Sequence, residues 1–313
     1  MLVVVILLLM AAFCLIISGV LFLFAFYSPN RTQNDDYMIS HSTQMDPLRD
    51  LILKMIHDLN DIPFERVYIR SGDGLKLSGR LYHQADQSPV VIAFHGYRGT
   101  PSRDFSGGTQ LYLSTGFNLL LIEERAHCSS EGHVITFGVK ERYDCLSWIE
   151  FVRQRYGPET PILLAGISMG AATVLMASGL DLPENVKGIV ADAPYTSPKA
   201  IIQKVCADWK VPVPLAYPFL ALGAHLYGGI DLTEADAAEA VKHTKVPILL
   251  IHGEDDRFVP CDMSRKIAAS NSAMIELHTF PEAGHGLSFL VDRDRYERIA
   301  GDFFARTIPT RVT

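Results

Sequence analysis

Before Arg31 the chain contains no Asp, Glu, Lys or Arg, and 25 of its first 27 residues are apolar. A stretch that long without charge does not open an ordinary water-facing domain. Cysteine is sparse: five in 313 residues, with no Cys-x-x-Cys and no Cys/His pair at zinc spacing. That excludes a disulfide scaffold and a zinc module. No Lys/Arg-rich stripe occurs and the net charge is −7, so nucleic acid is not an expected partner. Internal repeats and low-complexity tracts are also missing, which removes solenoids and linker-like chains. What is present is a 48% apolar, 10% aromatic chain, too rich in core-forming residues for disorder. With the head set aside the remainder is roughly 44% apolar, the composition of a soluble domain.

Residues 1–28 read as a transmembrane anchor. As a helix, Leu2 to Tyr27 spans about 39 Å, enough to cross a hydrocarbon core of about 30 Å with some tilt. Tyr27 sits where an interfacial anchor belongs. A cleaved signal peptide needs a basic start, a shorter apolar run and a small-residue cleavage site, none of which fits. A buried core helix of this length and position is the third reading. Residues 29–45 are polar and unpatterned, a tether, and 46–313 form the body. Removal of residues 1–28 is then expected to release a soluble, active domain. The charges flanking the run give little orientation; the unpaired cysteines lean towards a body facing the cytoplasm. Oligomeric state is not legible.

In the body, Leu48, Leu51, Ile52, Met55, Ile56 and Leu59 make a helical stripe after Asp46 and Pro47. Arg66–Arg70 and Leu75–His83 alternate about Ser71-Gly72-Asp73-Gly74 and predict an antiparallel hairpin. Short continuous apolar runs follow: Val90–Phe94, Asn118–Ile122, Ile162–Ala165, Gly188–Ala191, Ile248–Ile251 and Ile275–Leu277. They suit parallel strands covered on both faces. Helical patterns lie between them, at about Phe105–Ser114, Glu141–Tyr156, Met169–Ser178, Ser264–Ser270 and Tyr296–Arg306. Alternating strand and helix predicts an α/β fold with a doubly wound, mostly parallel sheet. Between Pro194 and Pro247 the rhythm breaks; such an insertion, at about 195–245, is expected to be a small helical cap. Its Trp209, Tyr217, Phe219 and Leu220 could line an apolar pocket or form the core of the cap.

Gly166-Ile167-Ser168-Met169-Gly170 follows one of these strands and opens a helix, the context of a nucleophile elbow. Glycines flank the serine because the turn is sharp and backbone passes close by. The helix start behind it offers N–H groups to an oxyanion. A serine hydroxyl needs a base, and the base an orienting acid, in the chain order Ser, acid, His. His285, between Gly284 and Gly286 after a late strand, is the candidate base. Glu254, Asp255 and Asp256 compete for the acid. The N–H groups of Met169 and Tyr97, the latter after Phe94-His95-Gly96, are the candidate oxyanion donors. His95 and His252 read as structural, and Glu141 and Asp144 as complements to a helix dipole.

These motifs resemble the α/β-hydrolase fold serine hydrolases, in the branch often labelled serine aminopeptidase-like. The likeness covers about residues 64–307. It rests on His95-Gly96, the Arg125–Gly132 loop, the elbow, His252-Gly253 with Asp256 and Val259-Pro260, and Gly284-His285. The resemblance implies Asp256 as the acid. It also implies hydrolysis of a carboxylic ester or related acyl bond in a small-molecule substrate, with no metal and no cofactor. A peptidase, amidase or acyl transferase would use the same triad, and a membrane-tethered binding protein with a silent site is the non-enzymatic alternative. One departure stands out: Ala126 and Cys128 replace two glycines of the family's loop. Membrane-anchored bacterial members carry a similar Arg-Ala-His form.

Overall fold

A computed structural model describes residues 1–29, 39 and 43–308. Most of the expected tether, 30–38 and 40–42, lies outside the described residues. Eight strands form one sheet: β1 (Glu65–Arg70), β2 (Lys76–Tyr82), β3 (Val90–Phe94), β4 (Asn118–Glu123), β5 (Ile162–Ile167), β6 (Val186–Asp192), β7 (Ile248–Gly253) and β8 (Ile275–Phe280). Their order is β1-β2-β4-β3-β5-β6-β7-β8. The hairpin β1–β2 and the β2–β4 pair are antiparallel, and every later pairing is parallel. β3, β4 and β7 are buried at every position, which is why they appear in sequence as unbroken apolar runs.

From β3 the chain steps to β4, then crosses back over β3 to β5 and continues outward. The loops leaving β3 and β5 therefore diverge at their carboxyl ends, the place where an open α/β sheet forms a crevice. The register sets Phe94 opposite Gly166 and Ile167 opposite Asp192, so the loops after all three strands start at one level.

Side chains alternate across the sheet into two cores. Val90, Ile92 and Phe94 face α5 (Glu141–Tyr156), α6 (Met169–Ala177) and α10 (Cys261–Ser270). Val91 and Ala93 face α2 (Arg49–Asn60), α3 (Pro101–Phe105), α4 (Gly108–Ser114), α11 (Ser288–Val291) and α12 (Arg293–Thr307). The single helix expected over Phe105–Ser114 is two, α3 and α4. Gly107 occupies the break because a Cβ there would stand 2.7 Å from the Phe289 ring. Helix α12 begins earlier than its apolar stripe, where the Asp292 carboxylate accepts from Arg295 N–H at 3.1 Å.

The insertion is helical, as expected: α7 (Pro198–Asp208), α8 (Val213–Gly228) and α9 (Ala237–Ala240). Ahead of the body, α1 (Leu2–Ala25) is exposed from Met1 through Phe13, and its length and composition would cross a membrane. Its last turns do not stand free. Ser18, Phe22 and Phe26 are buried against α8 and the body, and a Cβ on Gly223 would stand 2.4 Å from the Ser18 carbonyl. Burying each phenylalanine is worth about 2 kcal/mol. The chain then joins the body by backbone, with Ile135 N–H donating to Phe26 O at 2.8 Å and Ser28 N–H to His133 O at 2.8 Å.

Candidate active site

β5 ends in the elbow. Ser168 has φ 56° and ψ −113°, a left-handed backbone that a β-carbon disfavours. Two bonds hold it: Ser168 N–H donates to Asp192 O at 2.8 Å, and Ser168 O accepts from Ala172 N–H at 2.9 Å. Gly170 has no alternative, since a Cβ there would lie 1.9 Å from the Phe94 carbonyl oxygen. The strain is thus imposed by neighbours that cannot yield. Met169 opens α6, and the first N–H groups of a helix have no partner within it.

His285 and Asp256 meet Ser168 from the loops after β8 and β7. His285 Nε2 lies 2.8 Å from Ser168 Oγ, and His285 Nδ1 lies 2.6 Å from Asp256 Oδ2. Asp256 Oδ1 accepts from the N–H groups of Phe258 and Val259 at 2.9 and 2.8 Å. Burial opposes ionisation of Asp256, but hydrogen bonds from His252 and His285 outweigh it and hold the carboxyl well below the usual range. An ionised Asp256 fixes the proton of His285 on Nδ1 and leaves Nε2 as the acceptor facing the serine hydroxyl. Of the other two acids, Asp255 is exposed, and Glu254 is exposed and accepts from Thr279 Oγ1 at 2.5 Å. His252 is structural: Nδ1 meets Ser264 Oγ at 2.7 Å and Nε2 meets Val259 O at 2.8 Å.

The loop after β3 runs beside Ser168; a Cβ on Gly96 would stand 3.4 Å from Ser168 Cβ. Gly96–Gly99 forms a tight turn, with Gly99 N–H donating to Gly96 O at 2.9 Å and Gly96 N–H to Asp104 Oδ2 at 2.7 Å. Tyr97 is in this turn, and Arg98 after it has φ 50°. His95 supports the strand end, with Nδ1 2.9 Å from Gly96 O and Nε2 accepting from Glu124 N–H at 3.1 Å.

His127 went unassigned in the sequence. Its Nδ1 lies 2.8 Å from Arg125 O, and its Nε2 accepts from Arg98 N–H at 3.0 Å. Burial, with His95 alongside, pushes the imidazole well below its ordinary pKa, so the ring stays neutral and can accept. Ala126 and Cys128, where the family has glycine, keep the glycine conformation at φ 61° and 47°. Glu141 and Asp144 do more than complement a dipole. Glu141 accepts from Thr136 and Gly138 N–H at 2.8 Å each, and Asp144 takes the buried Arg125 guanidinium through two bonds of 2.7 Å.

Ser168 and His285 open into a cavity of about 1100 Å³. Its apolar wall is Ile52 and Met55 of α2, Phe105 and Leu111 of α3 and α4, and Phe289 and Leu290 of the α11 region. The cap contributes none of the four residues singled out in the sequence. Trp209 is exposed and meets the Phe24 ring edge-on at 5.4 Å, and Leu220 is buried in the larger core. Thr43, Gln44 and Met45, the described end of the tether, also line this cavity.

A sequence model of the prolyl oligopeptidase family matches residues 136–309, which hold Ser168, Asp256 and His285. An uncharacterized protein of Bacillus subtilis (strain 168), YqkD, is 23% identical over 238 residues, covering 75% of this chain and 77% of that one. The lysophosphatidylserine lipase ABHD12 of Danio rerio is 28% identical over 203 residues, 59% of this chain and 48% of that protein. The esterase Pf2001 of Pyrococcus furiosus has the same fold, with a TM-score of 0.66 at 22% identity over 90% of this chain and 99% of its own. The chain belongs to the prolyl oligopeptidase family, within the α/β-hydrolase fold serine hydrolases.

Proposed function

We propose that the chain is a membrane-anchored serine hydrolase that cleaves carboxylic esters of long acyl chains. The observation that carries this reading is the unbroken path Ser168 Oγ–His285 Nε2 and His285 Nδ1–Asp256 Oδ2, 2.8 and 2.6 Å, at the mouth of a largely apolar cavity. His285 takes the hydroxyl proton as Ser168 Oγ bonds to the acyl carbon, and the carbonyl electron pair moves onto oxygen. The N–H groups of Met169 and Tyr97 receive that charge, and Asp256 stabilises the imidazolium. As the tetrahedral centre collapses, His285 gives its proton to the departing alcohol. Water, deprotonated by His285, then releases the acid and restores Ser168.

The cavity supports an acyl chain, because Ile52, Met55, Phe105, Leu111, Phe289 and Leu290 offer no partner to a polar one. An ester-cleaving lipase and an esterase among the similar proteins agree with this choice. The family is named for a peptidase, so amide cleavage by the same residues is the second reading. Helix α1 supplies the anchor, and the free cysteines of the body, Cys128, Cys145, Cys206 and Cys261, support a body on the cytoplasmic side. The test sets acyl esters of graded length beside aminoacyl amides, with fluorophosphonate labelling of the unaltered chain and Ser168→Ala. Esters should turn over faster, and labelling should vanish in the variant. Faster amide turnover moves the reading to a peptidase, and labelling that persists without Ser168 refutes both.

A further inference from the structure

We infer that the carboxyl end of α1 positions the oxyanion turn, so that the membrane anchor is a working part of the active site and a body without residues 1–28, expected from the sequence to stay active, would lose activity. The inference rests on the function proposed above. The last carbonyls of a helix have no partner within it and carry the negative end of its dipole. No basic residue lies in the last turn of α1 to satisfy them. The donors come instead from the turn beside the nucleophile. Tyr97 Oη donates to Ala25 O at 2.8 Å, and Arg98 Nη2 donates to Phe24 O at 2.8 Å and to Tyr27 O at 3.1 Å.

That turn needs outside support. Arg98 holds a left-handed φ of 50°, which a non-glycine residue keeps only when its surroundings enforce it. His127 grips the turn from the body side, through Arg98 N–H at 3.0 Å. The anchor grips it through both side chains. The Tyr97 ring stacks on Phe137 at 5.1 Å, and Phe137 meets the ring of Phe26 edge-on at 5.6 Å. Gly96, at the other end of the turn, lies next to Ser168: a Cβ on it would stand 3.4 Å from Ser168 Cβ. The turn is therefore held between helix end and nucleophile, and its Tyr97 N–H is the proposed oxyanion donor. A helix serving only as a tether has no need to direct its last two carbonyl groups, and that of Tyr27 just after it, to this turn.

Tyr97 and Arg98 side chains are positioning groups here, since neither acts on the ester directly. The test uses the full chain in detergent micelles with a long-chain ester. Tyr97→Phe keeps the N–H and deletes the bond to Ala25 O; Arg98→Ala deletes two bonds, and Arg98→Lys restores a donor. Each is assayed for kcat, KM, melting temperature and inhibition by an acyl trifluoromethyl ketone. That ketone bonds to Ser168 Oγ, its carbonyl pair becomes an oxyanion and the serine proton passes to His285, so its affinity reads the oxyanion site directly.

Removing an oxyanion donor outright costs about a hundredfold or more in kcat. Loosening one is expected to cost about tenfold in both kcat and ketone affinity. KM should stay within about twofold for Tyr97→Phe and Arg98→Ala, with Arg98→Lys regaining much of the loss. Wild-type kcat and ketone affinity in Tyr97→Phe and Arg98→Ala would overturn the inference. A parallel loss of kcat, KM and melting temperature, with no rescue by lysine, would also overturn it, as general damage. If the unaltered chain shows no Ser168-dependent hydrolysis, the functional reading itself falls, an outcome distinct from either.

Discussion

Asp192 is a carboxyl that the proposed chemistry leaves idle, and it gives the sharpest stability test. It closes β6, lies 4% exposed on the sheet face of Val190, and borders the cavity. One of its oxygens has no hydrogen-bond partner among the described residues. Burial first, and the nearby Asp256 as well, push its pKa up to about 7, while His252 and a hydrogen bond with Tyr296 oppose the rise. The native chain therefore holds this proton more tightly than the unfolded chain does. The stability it confers is fully present below about pH 4 and is lost as pH rises through 7. A rise from 3.8 to about 7 corresponds to about 4 kcal/mol. Asp192→Asn keeps the shape and cannot titrate. Urea unfolding of both chains from pH 4 to pH 8, followed by tryptophan fluorescence, should show the wild type losing about 4 kcal/mol relative to the variant. The Ser168 N–H contact is to the backbone of residue 192 and is untouched by the change. Parallel stability curves for the two chains would refute the assignment of a raised pKa to Asp192.

Two further outcomes test the site. Asp256→Asn keeps the shape of the acid but allows the wrong imidazole tautomer, so kcat for an ester should fall by about four orders of magnitude; a loss under tenfold would argue for a different orienting group. Met55 faces the cavity from α2, so Met55→Trp should raise KM for the longest esters by about tenfold and leave the shortest unchanged. Equal effects on both would place the acyl chain elsewhere.

Much of the sheet was legible because parallel strands are buried on both faces, which leaves an apolar run with little rival meaning. The hairpin, β3 to β8 and α5 lie where the pattern places them. The elbow was legible for a different reason: Gly166 and Gly170 are required because a Cβ on either would stand 2.4 or 1.9 Å from neighbouring backbone. Choosing Asp256 over Asp255 depended on a family resemblance, since adjacent acids in one loop share every local property. The cavity walls were not legible. An apolar stripe on α2 states that one face is buried, not which neighbour buries it, and the cap aromatics offered an equally apolar rival. Glu141 and Asp144 lie in the first turn of α5 as expected, but their further partners, Thr136 and Arg125, were not legible because a loop with no repeating pattern brings them there. The docking of α1 was hidden as well, because a helix face covered by lipid and one covered by protein have the same composition.

That docking fixes a length. Only Leu2 to Ile17 of α1 lies clear of its first buried residue, Ser18. Sixteen helical residues reach about 24 Å, short of a hydrocarbon layer of about 30 Å. A bilayer crossed by this helix would therefore also have to receive the tip of α8, a helix without Asp, Glu, Lys or Arg, whose Leu226 and Tyr227 are exposed. On the proposed anchored reading, the body would then lie against the membrane at one edge, not hang from it as a ball on a string. Its angle to the surface would then be set by the same joint that grips Tyr97 and Arg98.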